Sequence, residues 1–119
     1  MSSVKISDNA DFNKSFRVYL AKAAPVLESV EPIVLFQKTK VTFIIRGRNL
    51  SELTAIDIHP ANNGLHLGNK ITVNATGTEA SVDLYIDANA TKGAHFISVT
   101  TLGGVSDNNA SAYNTFTIH

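Results

Sequence analysis

The chain reads as an all-β protein, a β-sandwich of about seven strands, and three observations predict it. Short apolar alternations of period two recur along most of its 119 residues. Turn residues, mainly Gly, Asn, Asp and Pro, punctuate them at short intervals. After Pro25 no stretch carries convincing helical spacing.

The N-terminal stretch is the ambiguous part. Phe12, Phe16, Tyr19 and Leu20 have helical spacing, whereas Phe16, Val18 and Leu20 have strand spacing. Ser15-Phe16-Arg17-Val18 resembles Thr115-Phe116-Thr117-Ile118, which favours a strand, as if an upstream domain ended there. Residues 1–23 are therefore read as a lead or the last strand of an upstream domain, and residues 24–119 as one domain.

Pro25 to Pro32 is an edge strand bracketed by prolines, whose missing N–H is tolerated at an edge. Val41 to Arg46 is a strong strand with Val41, Phe43 and Ile45 on one face and Ile44 on the other. Gly47 and Asn49 suit bulge or left-handed positions. Ile56 and Ile58 alternate with Asp57 and His59 until Pro60 stops the strand, and Asn62-Asn63-Gly64 turns the chain. Short stretches at Leu65 to Leu67 and Ile71 to Ala75 follow, with a turn at Thr76-Gly77-Thr78. Ser81 to Asp87 then places Val82, Leu84 and Ile86 inward and Tyr85 outward.

The central strand runs from Gly93 to Leu102. His95, Ile97, Val99 and Thr101 share the core face, and Phe96, Ser98, Thr100 and Leu102 the other. Gly103 and Gly104 supply the positive φ of a tight reversal. Asp107-Asn108-Asn109 leads to the last strand, Asn114 to Ile118.

Composition narrows the function classes. Ten Lys+Arg balance ten Asp+Glu, which argues against nucleic acid, whose binding is dominated by phosphate neutralisation. Lys38, Lys40, Arg46 and Arg48 lie close to Glu28, Glu31 and Glu52 and read as a solvated face. There is no cysteine, so no disulfide framework or thiolate chemistry is available. No apolar run reaches the roughly 18 residues of a membrane helix, so membrane insertion is not expected, and Met1-Ser2-Ser3 begins no secretory signal.

Four segments carry a family resemblance. Pro25 to Pro32, Ile45-Arg46-Gly47-Arg48-Asn49-Leu50, Lys92 to Thr101 with Gly104 and Ser106, and Phe116-Thr117-Ile118 occur in the order seen in IPT/TIG domains, and the chain resembles that family over residues 24–119. The resemblance implies a Greek-key, Ig-like sandwich of the early-set type, found in bacterial surface proteins, polysaccharide-handling proteins, plexin-type receptors and some transcription factors. Leu50 replaces a frequent aromatic of the family, and Phe36 to Lys40 replaces its Gly-rich turn. Neutral charge and missing cysteine fit the bacterial surface group best.

Candidate sites are sparse. His59 and His66 flank the Pro60 to Leu65 loop and can converge on a metal, but no third ligand is evident. His95 reads as an inward ring whose N–H meets a backbone carbonyl. Asp83 and Asp87 lie on one face but roughly 13 Å apart at 3.3 Å per residue, too far for a general acid/base pair. Asp87, Asn89 and Asp107 can supply calcium oxygens, yet turns explain them as well. No nucleophile elbow or phosphate-cradling glycine loop is present. Five Asn-x-Ser/Thr sequons are no more than the eleven Asn make unsurprising.

No enzyme activity, cofactor or metal is expected. The expected role is a non-catalytic structural spacer of a larger extracellular, cell-surface or periplasmic protein, with adjacent domains as its partners. The structural residues are Gly47, Gly93, Gly104, Ile45, Ile97, Val99 and Phe116. The competing roles are a polysaccharide-binding or adhesion module, another protein as ligand, and a dimerisation domain. For these the outward Ile44, Tyr85 and Phe96 are the candidate surface; the absence of Trp weakens a sugar-stacking platform.

Overall fold

The computed structural model describes residues 23–61 and 63–119. The readings for residues 1–22, and for Asn62 in its turn, lie outside the described residues. Among the described residues ten strands are formed: β1 Val26–Glu31, β2 Val34–Leu35, β3 Thr39–Arg48, β4 Leu53–His59, β5 Leu65–Leu67, β6 Thr72–Val73, β7 Glu79–Ile86, β8 Gly93–Thr101, β9 Gly104–Val105 and β10 Thr115–Ile118. Seven have three or more residues, so the sequence-based count holds for the long strands.

Two sheets face each other. The first has the order β1-β3-β7-β5 with β6 also on β7, and the second β2-β10-β8-β4 with β9 also on β8. All pairs are antiparallel except β2 with β10. Consecutive strands cross between sheets, as β3 to β4 and β7 to β8 do, which is the Greek-key order of the Ig fold.

The core follows from alternation. Phe43 and Ile45 of β3, Val82, Leu84 and Ile86 of β7, and Ile97 and Val99 of β8 point inward and are buried, with Leu27, Val30, Leu35, Leu50, Ile56, Phe116 and Ile118. Phe43 and Phe116 meet edge to face across the sheets, centroids 5.2 Å apart, a geometry the ring quadrupoles favour. Leu50, just beyond β3, is fully buried.

Two glycine readings are corrected in detail. Gly47 does not adopt a positive φ; it is needed because a Cβ there would lie 2.0 Å from the Val26 carbonyl oxygen. The β1–β3 register shifts beside it, between Leu27 and Ser29, so β1 approaches most closely where β3 has no side chain. Asn49 does take the left-handed conformation, φ 61°. The β8–β9 reversal has Leu102 and Gly103 at its tip, because Thr101 pairs with Gly104. The positive φ of 134° therefore falls on Gly104, the first residue of the return.

Two further features were not expected. Beyond Pro32 the chain switches sheets, so that β2 lies parallel to β10. The last strand of the sandwich is also split: β9 and β10 both pair with β8, and residues 106–114 leave the sheet between them. Two buried side chains hold the neck of this excursion. The Ser106 hydroxyl accepts the Val99 N–H at 2.9 Å while the Ser106 N–H donates to the Val99 carbonyl at 2.8 Å. Asn114 Oδ1 accepts the Ser111 N–H at 2.8 Å, and its Nδ2 donates to the Asn109 carbonyl at 2.9 Å.

Candidate interaction surfaces

The outer face of the β1-β3-β7-β5 sheet is laced with ion pairs. Arg46 on β3 bridges Glu31 of β1 and Glu79 of β7, and Glu31 holds the Arg46 guanidinium above its ordinary pKa. Lys40 lies 5.1 Å from the centre of the Tyr85 ring and 3.7 Å from Asp83. The Tyr85 hydroxyl, and after it the Asp83 carboxylate, raise the Lys40 pKa. Arg48 pairs with Glu28 at 3.2 Å. Cross-strand pairing puts these groups opposite one another, Arg46 on Glu79 and Lys40 on Tyr85. All of these side chains are largely in solvent, which screens the pairs, so they add little to stability. The basic group of the sequence is thus a solvated face, each of Lys40, Arg46 and Arg48 with an acidic partner.

The opposite outer face has a different character. The outward positions of β8, β4, β10 and β2 are Ala94, Phe96, Ser98 and Thr100, then Ala55, Asp57 and His59, then Thr115 and Thr117, then Val34. Among these described positions Asp57 is the one with a formal charge. Phe96 stacks on His59 with centroids 4.8 Å apart, and His59 Nε2 shares a 3.0 Å hydrogen bond with Ser98 Oγ. That bond and the stacked rings explain why outward-facing Ser98 is buried.

Ile44, Tyr85 and Phe96 consequently do not form one surface. Ile44 and Tyr85 lie on the ion-paired sheet and Phe96 on the other, so self-association around Phe96 and Ile44 together has no common face. Ile44 is half-buried among its neighbours, while Tyr85 is exposed beneath Lys40.

The histidines separate in the same way. His59 is at the end of β4 in one sheet and His66 on β5 in the other, where its Nε2–H donates to Asp87 Oδ2 at 2.8 Å. Each ring has its own partner, and among the described residues no three metal-ligating side chains converge. Asp87 follows β7 near the Gly64 turn, and Asp107 lies in the excursion beside Pro25 and Tyr113 at the other end of the sandwich. They do not share a calcium site. Asp83 and Asp87 are engaged separately, by Lys40 and His66.

His95 lies where the sequence placed it. The ring is buried, its Nδ1–H donates to the Gly93 carbonyl at 3.0 Å, and it stacks on Phe116 at 5.8 Å. Its Nε2 has no hydrogen-bond partner, so the ring serves as packing.

The two poles differ in which chain ends they carry. Ala24 arrives beside Gly104, its carbonyl accepting from Asn49 Nδ2 at 3.3 Å. A cleft of about 250 Å³ opens next to it, lined by Pro25, Val26, Leu27, Asp107, Ser111, Tyr113 and Asn114. His119 lies at the opposite pole, after β10, with Phe36 against its ring at 5.9 Å and its N–H on the Leu35 carbonyl at 2.8 Å.

No protein family matches this sequence, and no curated protein resembles it. Solved structures do. The chain is similar to the Lin-41 filamin domain, at 11% identity and a TM-score of 0.48, over 82% of this chain and 98% of that one. It is also similar to the twitchin kinase region from C. elegans (11%, TM-score 0.40, 82% of this chain and 15% of that one). A third likeness is to domains 4 and 5 of the S-layer protein SbsC (15%, TM-score 0.36, 82% and 54%). The strand order of the two sheets makes this domain an Ig-like β-sandwich.

Proposed function

We propose that this domain is a non-catalytic structural module that sets the distance and direction between its neighbours in a larger protein. The observation that supports this reading is the placement of the outer strands: β1 starts beside Gly104 at one pole, and β10 runs out beside Leu35 and Gln37 at the other. Ten residues of β3 span the distance between the poles, about 30 Å at 3.3 Å per residue. Domains joined through such ends are arranged in series.

The finer reading is an IPT/TIG-type domain of a bacterial surface or secreted protein. Four sequence segments in the family's order, the neutral charge and the lack of cysteine support it. A second reading, a polysaccharide- or protein-binding module, is favoured by one observation: the outer face carrying Phe96 stacked on His59 has a single charged position.

The test is a titration of isotopically labelled protein with soluble polysaccharides and with calcium, following backbone amides, beside sedimentation of the protein alone. Unchanged amides at millimolar ligand and a monomer in the centrifuge are the expected results. Shifts clustered at Phe96, Ser98 and His59 would replace the spacer with a receptor, and a dimer would replace it with an association domain.

A further inference from the structure

We propose that Asn63 is a deamidation site gated by the fold. It stays intact while the corner around it is closed, and once that corner opens it converts to a form that cannot close it again. The proposal does not depend on the spacer reading.

Asn63-Gly64 is the chain's one Asn-Gly pair. Glycine has no Cβ to hinder its own nitrogen, so an asparagine before it closes a ring on the backbone more readily than before any other residue. The Gly64 nitrogen, its proton taken by hydroxide, attacks Asn63 Cγ. The N–Cγ bond forms, the Cγ–Nδ2 bond breaks, and Nδ2 leaves as ammonia with a proton from water. One water then opens the five-membered imide, giving aspartate if the N–Cγ bond is cut and isoaspartate if the original peptide bond is cut. Water is the only co-reactant.

In the closed fold the leaving nitrogen is already in use. Asn63 is buried, its Nδ2–H donates to the Pro60 carbonyl at 2.6 Å, and its Oδ1 accepts the Leu65 N–H at 2.8 Å. Both ends of the carboxamide are tied, so it cannot turn onto the Gly64 nitrogen until these bonds part. The backbone is held as well, with the Thr91 N–H on the Asn63 carbonyl and the Asp87 N–H on the Gly64 carbonyl, both at 3.0 Å. Gly64 lies against Ala90, where a Cβ would come within 2.8 Å of Ala90 Cα. Gln37 Nε2 in turn donates to the Ala90 carbonyl at 2.7 Å. One corner thus locks the β4–β5 and β7–β8 connections, each of which passes from one sheet to the other.

Neither product fits that corner. A carboxylate has no hydrogen for the Pro60 carbonyl, so two acceptors face each other where a donor was, out of reach of water. Isoaspartate adds a methylene to the backbone where Gly64 already touches Ala90. Conversion is therefore a covalent record that the two connections have parted.

The test follows conversion in the full-length protein at 37 °C and mildly alkaline pH, by mass spectrometry of the peptide that holds residue 63, in buffer and in guanidinium chloride. Conversion in buffer should be at least about tenfold slower than in denaturant, because it tracks the population of the open corner. Gln37→Ala should speed conversion in buffer about two- to threefold and leave the rate in denaturant unchanged. Asn63→Asp reproduces one product; its amides at Asp87 and Thr91 should exchange at least about tenfold faster than the parent's, with Gly47 at the other pole unchanged. Equal rates in buffer and denaturant would overturn the gate, an absence of conversion in denaturant would overturn the site, and parent-like exchange in Asn63→Asp would overturn the record. If Asn63→Asp fails to fold, the two rates of the parent and of Gln37→Ala decide.

Discussion

Ile97→Ala tests the core most directly. Ile97 is fully buried on the central strand β8, opposite Ile58 of β4, and its N–H is held by the Asn114 carbonyl at 3.1 Å. The substitution deletes three carbons, about 2.4 kcal/mol of transfer free energy at 0.8 per methylene. Strands on both sides fix the backbone here, so the site closes little and a cavity term adds to that figure. The expected cost is about 3 to 4 kcal/mol, within the observed range for Ile→Ala. For a domain of roughly 100 residues this lowers Tm by about 15 to 30 °C. Urea and thermal unfolding followed by circular dichroism read both quantities. Leu102→Ala, at the exposed hairpin tip (63% accessible), is the control and should stay within about 0.5 kcal/mol of the parent. A loss below about 1 kcal/mol at Ile97, or an equal loss at Leu102, would mean that the faces of β8 are inverted.

Three other substitutions probe separate devices. Gly47→Ala forces the Val26 carbonyl away from β3 and should cost about 1 to 3 kcal/mol, with faster amide exchange confined to β1; uniform protection would refute the close-approach reading. Asn114→Ala strips the bonds to Ser111 and Asn109 and should cost about 1 to 3 kcal/mol, with NMR shifts in residues 106–114; a neutral result would mean that water replaces the amide. His95→Phe removes a buried nitrogen without a partner and keeps the stack on Phe116, so its stability should match or exceed that of the parent by up to about 1 kcal/mol. Destabilisation of that size in denaturant titration would assign the Gly93 bond more weight than the packing.

Legibility from sequence tracked how local each determinant is. The faces of β3, β7 and β8 follow from alternation alone, and His95 could be placed inward with its N–H on a carbonyl because strand period fixes where it points. β2 escaped notice because two residues carry no period; it exists through β10, some eighty positions later in the chain. Outward alternation was read correctly for Ile44, Tyr85 and Phe96, but strand direction says nothing about which sheet a strand joins. Their separation onto opposite faces was therefore invisible. Ser98 was read as outward and is buried, since its cover is the His59–Phe96 stack, whose histidine comes from β4. Of the two readings of Gly47, the bulge position matches the register shift of β1 beside it and the left-handed one does not hold, because close approach of a partner backbone leaves the same mark in a sequence as a left-handed turn.

The split last strand has a consequence for how this scaffold tolerates change. Register on either side of the gap is fixed by Ser106 and Asn114, whose bonds close the neck of residues 106–114 before the chain re-enters the sheet. Asn109 and Ser111 belong to that neck through Asn114, whereas Asp107 and Asn108 lie ahead of it. Doubling the length of such an excursion costs only about 0.6 kcal/mol of closure entropy. Asp107 and Asn108, ahead of the residues that Asn114 holds, are thus an insertion port, where foreign peptide can be displayed at the entry pole while the sandwich beneath keeps its form.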